Sequence, residues 1–249
     1  MKITVNPKYE HLRPFVERLP QDFDNGGELL HKQRNTVKKF DLGDGLSLNV
    51  KRFGKPHFLN RIIYTFFRKS KAYRSYENTF EIAGRGFDVA DAVAFIEKKS
   101  AGLLSDSFFV SVQLQQVHEI RRYYSGPLDN MAKEVLWEFG KYTAALHDAG
   151  IFHPDYSPGN ILITNQETSP RRFCLIDLNR VKFGKVSLRK GLRNFERLFI
   201  DDDPYLLMAG VYPPMRNQFM PPTETFDYML KYRNRYIKHR ERKNRRKKL

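Results

Sequence analysis

Apolar and polar residues recur along this chain with two different periods. Over residues 29–53 (LLHKQRNTVKKFDLGDGLSLNVKRF) three short runs separated by turn residues predict strands, with Gly43-Asp44-Gly45 as a hairpin turn. In the last run Leu46, Leu48 and Val50 alternate with Ser47, Asn49 and Lys51, which puts Lys51 on the face opposite the apolar one. Residues 71–84 predict a helix on the spacing of Tyr73, Tyr76, Phe80 and Ala83, with Glu77 beside that stripe. Residues 89–97 and 107–120 read as strands. Residues 128–149 predict a long helix with Leu128, Met131, Val135, Phe139, Tyr142 and Leu146 on one face, stopped at Gly150.

Two further strand-like runs, 161–164 and 173–176, are separated by turn residues. The stretch to about 230 reads as helix and loop, and the end of the chain as a frayed helix. Between 55 and 74, seven basic residues (counting His57) mix with Phe58, Leu59, Ile62, Ile63, Phe66 and Phe67. That pattern fits an amphipathic helix packed on the N-terminal part, and it fits equally an interfacial helix against anionic lipid; packing is the preferred reading.

Composition narrows the class. A hydrophobic content of 41% with 14% aromatics is too high for a disordered chain of 249 residues. The lone Cys174 excludes an internal disulfide and a cysteine-built zinc site. The N-terminus has scattered charges and no apolar run, and no stretch approaches the ~18 apolar residues that span a bilayer. A cytoplasmic protein is expected, with the inner face of a membrane as one place to find it. The net charge of +16 is uneven: residues 231–249 hold 11 Lys/Arg and one Glu. No nucleic-acid motif accompanies that charge, so an anionic membrane surface is preferred to nucleic acid as the tail's partner.

The chemistry gathers near residue 160. Asp155 and Asn160 stand five positions apart before a strand, and Asp177 follows its partner strand. Pairing of 161–164 with 173–176, with positions summing to 337, would set Asn160 opposite Asp177. Two carboxylates and an amide oxygen suit Mg²⁺, and an Asp that is not a ligand suits proton acceptance from a hydroxyl. His147 and His153 lack a third nitrogen or sulfur ligand at suitable spacing and read as packed or hydrogen-bonded histidines.

His153-x-Asp155-x4-Asn160 followed by Asp177-Leu178-Asn179 resembles the catalytic loop and metal-binding segment of the protein-kinase-like superfamily. The run IDLNRVKFGKVSLRKGLRN, the helix RSYENTFEIAG and the opening strands resemble the lipopolysaccharide core kinase family, over about residues 25–200. The resemblance implies a two-lobed kinase-like α+β fold: an N-terminal lobe over 1–113, a mostly helical lobe over 114–230, and a basic tail over 231–249. It implies ATP and Mg²⁺ as cofactors, with ATP in the cleft, and a Kdo or heptose hydroxyl of the lipid A-linked core oligosaccharide as acceptor. Asp155 matches the catalytic Asp, Asn160 and Asp177 the Mg²⁺ ligands, Lys51 the strand lysine on the phosphates, Glu77 the helix glutamate that holds it, and His153 a histidine that shapes the loop. The glycine-rich loop is absent, Lys32-Gln33-Arg34-Asn35 standing there, and no Ala-Pro-Glu follows Asp177. A compact atypical protein kinase and a non-catalytic binder of anionic lipid or nucleic acid remain alternatives.

Overall fold

The computed structural model describes residues 1–124, 127–164, 169–199 and 201–246. The chain divides into two units: Met1–Gln115 with Asp177–Asn179, and Gln116–Ile176 with Arg180–Leu249.

The first unit is built on an antiparallel sheet of six strands. In chain order these are β1 (Lys2–Val5), β2 (Glu28–Lys32), β3 (Thr36–Asp41), β4 (Ser47–Phe53), and, after a two-residue strand β5 (Asp88–Val89), β6 (Ala92–Ser100) and β7 (Leu103–Val112). Their spatial order is β1-β6-β7-β4-β3-β2. Helices α1 (Arg13–Asp22), α2 (Phe58–Ile62) and α3 (Lys71–Gly84) complete the unit.

The period-two pattern of β4 sorts its side chains between two cores. Leu48 and Val50 pack with Val16 and Leu19 of α1, and with Phe23 just after it, on one face. Phe53 packs with Ala72 and Tyr76 of α3 and with Phe95 on the other. Lys51 shares the face of Phe53, its ammonium 5.3 Å from that ring's centroid.

The strands expected at 89–97 and 107–120 are displaced: the hairpin runs 92–100 and 103–112, turning at Ala101 (φ 49°) and Gly102 (φ 74°). The ladder closes with Gln113 N donating to Ser47 O, and Gln116 then takes φ 48°. The face of α3 also differs from the expected stripe. Ala72, Ser75, Tyr76, Thr79 and Ile82 are buried, whereas Phe80 is exposed. Small residues bring the helix close to the sheet, and Thr79 Oγ1 satisfies itself on Ser75 O at 2.9 Å.

Residues 58–67 pack on the N-terminal unit as expected, but through polar groups and not through the apolar stripe. α2 passes into a wider π-helical turn, Ile63–Phe67, closed by Arg68 N on Ile63 O. Its polar groups point inward: Arg61 donates to Leu104 O (3.0 Å) and Ser100 O (2.9 Å), and Thr65 Oγ1 accepts from Leu104 N. Its aromatics point outward, Phe58 being 65% exposed, Phe66 69% and Phe67 82%.

The second unit is mostly helical. It contains β8 (His118–Glu119), α4 (Asn130–Asp148), β9 (Ile151–Phe152), β10 (Ile161–Ile163), β11 (Phe173–Leu175), β12 (Lys182–Phe183), α5 (Leu188–Asn194), α6 (Asp202–Met215) and α7 (Pro222–Arg245). Asp129 caps α4, its Oδ1 accepting from Ala132 N at 2.7 Å, and Gly150 (φ 73°) follows its end. Val135, Phe139 and Leu146 of the expected stripe are buried, while Met131 is exposed. Glycine is obligatory at 191, where a Cβ would stand 1.8 Å from Tyr212 Oη.

α7 runs unbroken across residue 230, so the expected separate tail over 231–249 is not what forms. Thr225 and Met229 are fully buried, Arg233 pairs with Asp202 at 2.6 Å, and Tyr236 lies 5.3 Å from the Arg197 guanidinium. Residues 237–246 are exposed. The three last residues, 247–249, lie outside the described ones.

Candidate active site

Within the helical unit, the loop after β9 carries His153, Asp155 and Asn160. His153 is fully buried. Its Nε2 donates to Ile176 O (3.1 Å) and its Nδ1 accepts from Asp155 N (3.1 Å). A carbonyl only accepts and an amide N–H only donates, so these two contacts fix the neutral tautomer. Asn160 Nδ2 donates to Asp155 O at 2.8 Å, which closes the loop from the other side. The Asp155 backbone is therefore pinned at both its N–H and its carbonyl.

Behind the loop lies a buried polar chain. Arg216 Nη1 donates to Tyr212 Oη (3.0 Å), and Tyr212 Oη donates to His147 Nδ1 (2.6 Å). His147 Nε2 donates to Asn194 Oδ1 (2.8 Å), and Asn194 Nδ2 donates to His153 O (2.8 Å). Burial pushes the His147 pKa down to about 3, with the charge of Arg216 adding to the effect, and burial raises that of the Tyr212 phenol. His147 thus acts as a neutral relay that carries the positions of α4, α5 and α6 to the catalytic loop. The Asp155 carboxylate itself is held by Arg197 Nη1 on its Oδ1.

β10 and β11 pair with positions summing to 336, Ile161 against Leu175 and Ile163 against Phe173. This corrects the register expected from sequence by one. Asn160 faces Ile176, whose N–H donates to Asn160 O at 3.1 Å, and not Asp177. The short strand ends one residue sooner because Asp177 leaves the ladder in the left-handed region, φ 57°.

Asp177–Asn179 group with the sheet unit. Lys51 Nζ lies 2.5 Å from Asp177 Oδ1, with the two side chains only 16% and 26% exposed. Asn179 Nδ2 donates to the same oxygen at 2.6 Å. α3 holds the backbone of this segment: Asn78 Nδ2 donates to Leu178 O (2.7 Å) and Arg74 Nη1 to Asn179 O (2.6 Å).

Glu77 does not join this group. It is exposed on α3, and Lys51 is engaged by Asp177 where the resemblance implied Glu77. The physical reason is the helix face: with Tyr76 and Thr79 turned to the sheet, positions 74 and 78 meet the 177–179 segment and position 77 turns to solvent.

Sequence reasoning missed Arg197, Asn179, Asn194, Arg74 and Asn78. Asn179 and Asn194 stood inside the run from Ile176 to Asn194 that carried the resemblance, but without a role. Arg197 carries no signal in the sequence, because only folding brings it to Asp155.

The donor set suits a hard cation. Among the described residues no cluster of three His, Cys, Asp or Glu side chains forms a metal cage. Asp177 in the sheet unit and Asn160 in the helical unit each carry a hard oxygen donor of the kind Mg²⁺ takes alongside water and phosphate oxygens.

An antiparallel sheet with a helix bearing on a lysine–aspartate pair, and a helical unit with a His-x-Asp-x4-Asn loop, define a kinase-like α+β fold. The solved structure "WaaP in complex with acyl carrier protein" has the same fold, with a TM-score of 0.64 at 16% identity over 94% of this chain and 99% of that one. Residues 34–201, more than half of the chain, match the lipopolysaccharide kinase (Kdo/WaaP) family, and the chain belongs to that family. It is accordingly an ATP-using phosphotransferase with a sugar hydroxyl as acceptor. No curated protein sequence matches it closely enough to count as a relative.

Proposed function

We propose that the chain phosphorylates a Kdo or heptose hydroxyl of the lipid A-linked inner core, using Mg²⁺-bound ATP. Asp155 accepts the hydroxyl proton as the acceptor oxygen bonds to the γ-phosphorus, and the bond to ADP breaks. Asn160 and Asp177 would hold Mg²⁺ through their side-chain oxygens, and its charge would offset that of the phosphates. Lys51 neutralises phosphate charge and keeps Asp177 in place. His153 holds the loop and moves no proton. The observation that carries this reading is the double pinning of the Asp155 backbone by His153 and Asn160. Such pre-organisation is what a reaction driven by positioning requires. Incubation of the purified chain with labelled ATP, core extract and protein substrates tests it. Label is expected in the core sugar; label confined to protein would overturn the acceptor assignment.

The same reading extends to place. Among the described residues no helix is long and apolar enough to cross a membrane. Outward-facing Phe58, Leu59, Phe66 and Phe67, flanked by Lys55, His57, Arg68 and Lys69, match the aromatic and cationic requirements of an anionic leaflet. The exposed basic end of α7 adds charge of the same sign. Sedimentation with vesicles containing anionic lipid is expected to fall more on Phe66→Ser/Phe67→Ser than on loss of 237–249. Equal binding to zwitterionic vesicles would remove the electrostatic part of the proposal.

A further inference from the structure

A cavity of about 380 Å³ opens in the helical unit beside the catalytic loop. Pro154 and Tyr156, on either side of Asp155, contribute to its wall, and Lys182, Lys190, Arg193 and Arg197 line it as well. Four cations thus share one small space, with Glu196 as the acid in the lining.

Two of the four are already neutralised. Arg193 pairs with Glu196 at 3.4 Å, and Arg197 is taken by Asp155. Lys182 and Lys190 have no ion-pair partner among the described residues. The Lys190 ammonium stands 4.8 Å from the Phe152 ring centroid, a contact that orients it without cancelling its charge. Like charges gathered in one concave space repel one another, and an anion placed there recovers that energy.

We infer that this cavity is the acceptor's anion subsite. It takes a sugar carrying a carboxylate or a phosphate monoester, the anion resting on Lys182 and Lys190 while a neighbouring hydroxyl is presented to Asp155. The inference rests on the kinase reading for that last step only; anion binding at the two lysines stands without it. Lysine suits the task because its compact charge accepts either anion without demanding one planar geometry. Arg197, which lines the cavity and is paired with Asp155, links the two.

The test uses the full chain and a deacylated inner-core oligosaccharide. Both lysines are exposed, so Lys182→Gln/Lys190→Gln is expected to fold as the parent does. Calorimetry should show a Kd for the oligosaccharide at least tenfold weaker. In turnover the acceptor KM should rise by the same factor, with the KM for ATP within twofold. Lys182→Arg/Lys190→Arg should restore most of the binding. Two ligand arms separate the sources of charge: phosphatase treatment weakens binding if phosphate is read, and carboxyl reduction weakens it if the carboxylate is read. Unchanged binding by the glutamine variant, a parallel rise in both KM values, or failure of the parent chain to bind the oligosaccharide overturns the inference. Charge-dependent binding without phosphoryl transfer keeps the subsite and removes the kinase reading.

Discussion

Asp155 and Asp177 are the two carboxylates on which the proposed chemistry rests; each carries a cation, Arg197 and Lys51 respectively, but their backbones are held differently. Asp155 is fixed through its backbone, by His153 and Asn160, with a buried relay of Asn194, His147 and Tyr212 behind them. Asp177 is fixed through its side chain: Lys51 and Asn179 converge on one oxygen while the backbone sits at φ 57°. For a proton acceptor, aim is set by the backbone, and here the backbone is fixed from below while Arg197 takes Oδ1. At Asp177 two donors, Lys51 and Asn179, share one oxygen, which aims the carboxylate itself and not its backbone. The same residue type is thereby prepared for two tasks by its surroundings.

The largest effect should come from the carboxylates themselves. Asp155→Asn and Asp177→Asn are each expected to lower kcat about a thousandfold or more, with the melting temperature little changed. They should part on ATP: Asp155→Asn keeps the parent KM and Asp177→Asn raises it. Equal KM values in the two variants would erase the distinction drawn above.

Lys51→Met comes next. It removes both the phosphate contact and the partner of Asp177, and about a hundredfold loss in kcat/KM for ATP is expected. If Lys51 served only the fold, the loss would track stability, and kcat/KM would recover on cooling.

A third measurement acts on the Asp155 side alone. His147 is neutral in the folded state, with its pKa lowered to about 3 from 6.5. Below 6.5 the unfolded chain binds the extra proton, so stability is full above that value and falls as pH drops toward 3. The folding equilibrium should weaken roughly tenfold per pH unit in that window. Urea midpoints at pH 7, 6 and 5, for the parent and for His147→Gln, measure it; a variant with the same slope would assign the pH dependence elsewhere.

The smallest effect separates structure from resemblance. Glu77 is exposed on α3, and Glu77→Gln is expected to change kcat/KM for ATP by less than twofold. A loss near that of Lys51→Met would return Glu77 to the role the resemblance implied.

What could be read from the sequence followed the range of the interactions. The strand β4 and the face of Lys51 came from period-two alternation, and α4 from its apolar stripe and glycine stop, because such patterns are local. The hairpin of β10 and β11 was legible but its register was not, since a short ladder is set by where Asp177 turns away. The stripe of α3 misled because Ser75 and Thr79, not Phe80, approach the sheet closely. Segment 58–67 misled more deeply: Arg61 and Thr65 satisfy strand-end carbonyls and amides, and that turns the apolar side outward. Arg197 was out of reach, since its partner lies 42 positions away.

The guanidinium that grips Asp155 lies over the Tyr236 ring, and ten exposed, mostly basic residues continue beyond it. The helix end and the catalytic carboxylate therefore share one free-energy ledger. A surface that binds residues 237–246 and shifts Tyr236 must alter the grip on Asp155, and by reciprocity an acceptor that draws Asp155 away must alter affinity for that surface. Docking of the helix end and affinity for the acceptor are then two readouts of one coupling constant.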